Sequence, residues 1–261
     1  MTTCVFVTEE DLARTFDGGA YKDAVEIVQQ YQKATEYASK HNTKSTATAK
    51  ALELPRGRLR TWIDDGGAPD AVNAIDVASS KGWLDLEYSD PKFDALNSLV
   101  ANVFSGGSIA NNYYRPSFAL NRRGKESHVI DALELADVDY QIVEDRSGRA
   151  DEARPTEHGT ILGRVLTTLG TPVGSKADQD LEIPGYLEGA PEDVRELFVV
   201  CYLENRAGEH NKILKFREER SEAYLSSLAA LIEDVTGEPV NVSEKNVILS
   251  RAATDALGTV V

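Results

Sequence analysis

Apolar residues recur at helical spacing between Ala20 and His41, where Tyr21, Ala24, Val25, Val28, Tyr31 and Ala34 fall on one stripe, and this predicts an amphipathic helix. A second helix is expected from Ser45 or Thr46, either of which can cap it, through Ala47, Ala49, Ala51 and Leu52. A third is expected to begin at Pro55, since the missing N–H of proline has no intrahelical partner in a first turn, and to run to about Ile63 before the Asp65-Gly66-Gly67 break. Pro69 to Lys81 repeats the amphipathic spacing, and Gly82 closes it.

Beyond residue 90 helical and alternating stretches take turns. A helical run near Asp94 is followed by a strand-like run (Asn111 to Asn121), a helix (Ser127 to Ala136), more strand-like sequence (Tyr140 to Thr156) and a helix (Gly159 to Gly170). The order recurs after the apolar run that follows Arg195: Asn211 to Glu218, Glu222 to Thr236, Pro239 to Leu249 and Ala252 to Gly258. Gly170 to Pro184, rich in Gly, Pro, Ser and Asp, reads as a linker. The expected organisation is a helical domain over 1–88 and a two-repeat domain over 90–258, with repeat one at 90–175, a linker at 176–183 and repeat two at 184–258.

Composition narrows the class. No run of about 18 apolar residues and no signal-peptide pattern is present, so a soluble, cytoplasmic protein without a membrane partner is expected. Cys4 and Cys201 stand far apart and both read as small buried residues; His41, His128, His158 and His210 show no ligand spacing. Neither a metal nor a cofactor is indicated. The net charge is −15, with 12 Lys against 16 Arg among the basic residues. So acidic and lysine-poor a surface suits molar salt, and a halophilic, archaeal source is the expectation. At about 1 M salt the Debye length is only roughly 3 Å, so distant carboxylates barely repel a polyanion and the local distribution of charge decides.

That distribution is uneven. Between Lys40 and Arg60 lie Lys40, Lys44, Lys50, Arg56, Arg58 and Arg60 against Glu53 alone, a local +5. Ala47 to Ile63 resembles a helix-turn-helix of the repressor kind: a small-residue helix, a short turn, and a basic helix closed by Trp62-Ile63. Ala49 lets the helices approach, and Leu52, Leu54, Leu59, Trp62 and Ile63 supply the contacts between them. Arg56 and Arg60, one turn apart, are expected to face a major groove, with Arg58, Lys44 and Lys50 set for phosphates. Glu53 holds a turn position where glycine is common, which puts the turn geometry in question.

The segment PGYLEGAPEDVRELFVVCYLENRAG (Pro184 to Gly208) resembles the start of a LAGLIDADG homing-endonuclease repeat, and DALNSLVANVFSGGSI (Asp94 to Ile109) looks like the first copy. The resemblance covers about 165 residues and implies an α+β fold, a tandem pseudo-twofold pair of αββαββα units with a saddle-shaped sheet along the DNA major groove. It implies that the two motif helices pack at the twofold axis, with Ala101 matched to Cys201 and Ser105 to Asn205. Nuclease chemistry in the family needs one carboxylate at the foot of each motif helix to hold divalent ions. Those positions are Gly106 and Arg206 here, and an arginine repels a cation and attracts phosphate, so the site reads as converted from cutting to holding. Glu204 and Glu209 lie nearby, both in the second copy.

Period-two alternation places Lys215 and Arg217 outward if Leu214 and Phe216 face the helices, and Tyr113, Arg115 and Ser117 outward if Pro116, Phe118 and Leu120 face inward. Arg122, Arg123 and Lys125 are expected at the following turn, within reach of backbone phosphates. The expected function is sequence-specific binding of double-stranded DNA by a regulator without nuclease activity, with a second copy or the transcription machinery as further partners. WhiA-type regulators join the same two parts in the opposite order. Two other readings stand beside it: an active endonuclease with relocated metal ligands, and a scaffold that binds protein or a small effector.

Overall fold

The computed structural model describes residues 4–121, 123–144, 150–210 and 212–258, without the side chains of Glu209 and His210. The chain divides into two compact units, Val7–Asp85 and Leu86–Val261, the second joined by Phe6 and the residues before it. Among the described residues no helix is long and apolar enough to cross a membrane.

The smaller unit is helical. It opens with α1 (Glu9–Arg14), which the apolar pattern does not announce; Thr8 and Asp11 cap its start reciprocally. Helix α2 (Ala24–His41) starts four residues later than its stripe predicts, because Asp23 accepts from the Glu26 amide and caps it there; Tyr21 stays outside yet packs on the same core. In α3 (Ser45–Leu52) the expected cap is corrected: Lys44 is the capping residue, and it makes no side-chain cap bond. The Ser45 amide and hydroxyl instead donate to Asp64, at 3.2 and 2.5 Å. These bonds hold that carboxyl below its ordinary range, the Ser45 hydroxyl first among the causes.

Pro55 stands just before α4 (Arg56–Leu59) rather than inside it, and the chain continues as a π-helical turn over Arg60–Asp64. Ile27, Ala34, Ala49, Leu59 and Trp62 form the core of this region, with Tyr31 edge-on to Trp62 at 5.5 Å. Glu53 adopts φ 55°, ψ 33°, the left-handed conformation glycine would supply. The turn thus keeps its geometry at the cost of placing a side chain there. Helix α5 (Asp70–Lys81) ends on left-handed Gly82 as expected.

The larger unit is α+β and repeats one pattern. The first copy runs α6 (Pro91–Ser105), β1 (Ser108–Ile109), β2 (Pro116–Ala119), α7 (His128–Leu135), β3 (Tyr140–Val143), β4 (Glu152–Pro155) and α8 (Gly159–Thr168). The second runs α9 (Glu192–Arg206), β5 (Gly208–His210), β6 (Ile213–Arg217), α10 (Glu222–Thr236), β7 (Val240–Ser243), β8 (Asn246–Leu249) and α11 (Arg251–Ala256). Each copy is αββαββα, and the antiparallel sheets share an order, β1-β2-β4-β3 and β5-β6-β8-β7.

Helices α6 and α9 pack together at the centre. Every residue of α6 from Ala95 to Ser105 is buried, as is Cys201 of α9, whose thiol burial pushes up to about 12. The Asn205 amide donates to the Ser105 hydroxyl at 3.1 Å. Residues at equivalent places in two copies meet only close to their twofold axis, so this contact fixes the register of the repeats. Cys4 corrects an expectation: it is exposed, in the terminal segment ahead of the bridge between Phe6 and Leu86.

Candidate nucleic-acid interface

On the helical unit Lys44, Lys50, Arg56, Arg58 and Arg60 are all exposed. The Arg60 amide bonds back to the Arg56 carbonyl, so these two arginines stand one helical turn apart on one face. Arg60 also lies 3.9 Å from Asp65, a solvent-exposed pair that leaves the guanidinium available. Arg58 differs, since it bonds Gln30 on α2 and lies 5.8 Å over the Trp62 ring, so its guanidinium braces the helix pair.

On the repeat unit, strand β6 alternates as expected: Leu214 and Phe216 are buried, Lys215 and Arg217 exposed. Glu219 partly balances them, 3.3 Å from Arg217 and 3.5 Å from Lys245. On the first sheet Pro116 and Phe118 face inward and Arg115 is exposed. Tyr113 is 78% exposed, but it is corrected as a strand residue: it and Tyr114 take positive φ in a turn, and β2 begins only at Pro116.

The open face of this sheet also carries Arg154 and Gln141, paired across β3 and β4, which the sequence reading passed over. Arg154 bonds Glu152 and Ser117, and with Ser108, Arg115 and Gln141 they line a shallow cleft. The alternation in Glu152-Ala153-Arg154-Pro155 was the available signal. Lys125 is exposed in a short turn. Arg122 lies outside the described residues. Arg123 sits 3.1 Å from Glu204, with its own side chain 41% exposed.

The helix feet carry a connected set of polar contacts. Gly106 ends α6 without a side chain, and a Cβ there would meet that of Ala119 at 3.0 Å. Arg206 ends α9, and its Nε donates to Glu218 at 2.6 Å while a terminal nitrogen reaches the Arg217 carbonyl at 3.0 Å. Glu218 is 1% exposed and also accepts from the Tyr202 hydroxyl at 3.0 Å. Burial first, and then neighbours that include Glu218, raise that hydroxyl well above its usual range, so it stays protonated and donating.

From the segment between the repeats, the Lys176 ammonium reaches the foot of α6 and donates to the carbonyls of Val103 (2.6 Å), Phe104 (3.2 Å) and Gly107 (2.9 Å). The sequence reading missed both Glu218 and Lys176. Glu204, weighed above as a substitute ligand, is tied to His128 Nδ1 at 2.6 Å and to Arg123. Among the described residues a divalent ion does not fit this donor set: one foot presents no carboxylate, the other a guanidinium, Glu204 and Glu218 are already paired with cations, and the Glu209 side chain lies outside the described residues.

No protein-family model matches the chain, and no curated protein does. Among solved structures the chain is similar to full-length WhiA from Thermatoga maritima, at 9% identity and a TM-score of 0.44, over 64% of this chain and 56% of that one. The N-terminal LAGLIDADG domain of WhiA aligns at 9% identity and 0.43, over 69% and 89%. The homing endonuclease I-DmoI, in complex with DNA and Mn, aligns at 9% identity and 0.42, over 65% and 99%. At such scores a likeness carries no weight by itself, and the duplicated unit stands on its element order, strand pairing and the Ser105–Asn205 contact.

Proposed function

We propose that this protein is a sequence-specific regulator that binds double-stranded DNA through a helix-turn-helix and the open faces of a duplicated αββαββα scaffold, and holds the duplex without cutting it. The observation that carries the reading is the pair of helix feet, where Gly106 and an Arg206 bound to Glu218 stand in the places a nuclease of this architecture gives to metal-holding carboxylates. Exposed Arg56 and Arg60 on one helical face, and the outward Lys215 and Arg217 of β6, support the two contact surfaces. Such a protein works at the chromosome, in the cytoplasm, with a second copy or the transcription machinery as its protein partner. A salt-rich interior would screen the −15 net charge there.

The test is footprinting on genomic fragments selected by the protein at high potassium, alongside a plasmid-nicking assay with magnesium. Protection without nicking, weakened about tenfold or more by Arg56→Ala with Arg60→Ala, is expected. Magnesium-dependent cleavage would favour a nuclease with relocated ligands, and failure to retain DNA at any salt would leave a scaffold for protein or a small effector.

A further inference from the structure

Cations gather around the feet of α6 and α9. Lys176 is seated on the Gly107 carbonyl at the foot of α6, Arg206 is bound to Glu218 at the foot of α9, one residue past the Ser105–Asn205 contact, and Arg220 stands two residues beyond Glu218, three cations beside one buried carboxylate. Each arrives from a different part of the fold. Lys176 comes from the segment between the repeats, Arg206 from the last turn of α9, and Arg220 from the turn after β6, where its guanidinium donates to the Glu219 carbonyl at 3.0 Å. Arg220 has no carboxylate partner among the described ion pairs.

Burial, and after it the neighbouring Arg220, lower the Lys176 ammonium to about 8. An anion brought beside a group of cations relieves their mutual repulsion. We infer that Lys176, Arg206 and Arg220 form a phosphate-binding centre at the twofold axis, which takes the place of divalent ions and makes attachment to phosphate independent of them. The inference rests on the reading above for the source of the phosphate, a DNA backbone at the middle of the bound site.

The Lys176 ammonium is seated on three carbonyl oxygens at the foot of α6, and so contributes a fixed charge rather than a mobile arm. Arg206 is held in orientation by Glu218 and by the Arg217 carbonyl, with its side chain 35% exposed. Arg220, half-buried, has the greatest freedom to meet the ligand. A guanidinium offers five N–H donors in a planar fork suited to phosphate oxygens, and one carbonyl bond leaves most of that fork unspent.

The experiment titrates the full chain with a mixed-sequence duplex by fluorescence anisotropy across a potassium chloride series, with magnesium and with a chelator, and titrates inorganic phosphate followed by phosphorus NMR. Equal affinity with magnesium and with the chelator is expected. Arg220→Gln is expected to lower the logarithmic salt slope by about one and affinity by about tenfold at moderate salt, with an unchanged melting temperature. Wild type that ignores DNA but binds inorganic phosphate, a property lost in Arg220→Gln, would overturn the DNA reading and keep the centre. A slope and phosphate affinity unmoved by Arg220→Gln, or binding that the chelator abolishes, would overturn the centre even where DNA is bound.

Discussion

The feet of α6 and α9 occupy equivalent places in two copies of one fold, yet they are neutralised in different ways. At α6 the end of the helix has no side chain of its own, and a lysine from outside both repeats satisfies the terminal carbonyls. At α9 the helix carries its own cation, and the adjoining strand end supplies a buried carboxylate to fix it. Relative to the pair of acids that the LAGLIDADG resemblance implies, one position carries no charge and the other the opposite charge, and each has its own compensating group. A helix C-terminus favours a positive neighbour in either case, through its unpaired carbonyls.

Deleting each cation is the strongest way to break this comparison. Arg206→Met strands Glu218 in the interior with Tyr202 as its remaining side-chain partner, and is expected to cost about 3 kcal/mol. Lys176→Met leaves carbonyls short of a donor and is expected to cost about 2 kcal/mol, both losses being read from urea midpoints at constant slope. Adding Glu218→Leu to Arg206→Met should recover part of the first loss. No second-site change can recover the other, because a carbonyl cannot be substituted away. Equal losses, or no recovery, would show that the two feet are held by the same means.

Packing sharpens the comparison with a smaller effect. A Cβ on Gly107 would lie 2.5 Å from Asn102 Oδ1 and 2.8 Å from the Ser117 carbonyl, so Gly107→Ala is expected to cost about 1.5 kcal/mol. The matching exchange in the other copy, Ala207→Gly, should cost under about 1 kcal/mol of backbone entropy. Thermal unfolding of the two variants side by side checks the asymmetry.

The smallest effect is that of pH. The Lys176 pKa is lowered from 10.5 to about 8 in the folded chain, by burial first and then by Arg220, so between those values the unfolded chain binds the extra proton and stability rises with pH. Wild type should gain about 1 kcal/mol relative to Lys176→Met between about pH 7 and 9, read from paired urea titrations. Affinity for phosphate should move the other way across the same window, as the ammonium loses its charge.

The order of elements beyond residue 90 is legible in the sequence because period-two and helical stretches alternate cleanly; α10 begins at Glu222 and ends at Thr236, where the pattern places it. The outward set of Lys215 and Arg217 follows from alternation alone. Tyr113 is not placed by that rule, since two successive residues at positive φ interrupt the strand and only glycine would have announced them. Lys176 sits in a Gly- and Pro-rich stretch that reads as free linker, and its partners lie about 70 residues away in sequence. Glu218 follows a strand as solvated acids often do, and nothing local marks it as buried. Ser45 is expected as a cap, but its hydroxyl donates to Asp64, 19 residues distant, and no local pattern reveals that partner.

The bond between Ser105 and Asn205 joins unlike side chains where two identical halves would have to present the same one. The halves have therefore ceased to be interchangeable: a homodimer of either would set serine against serine or asparagine against asparagine. One polypeptide escapes the symmetry that a dimer imposes, and each half is free to diverge at its own surface.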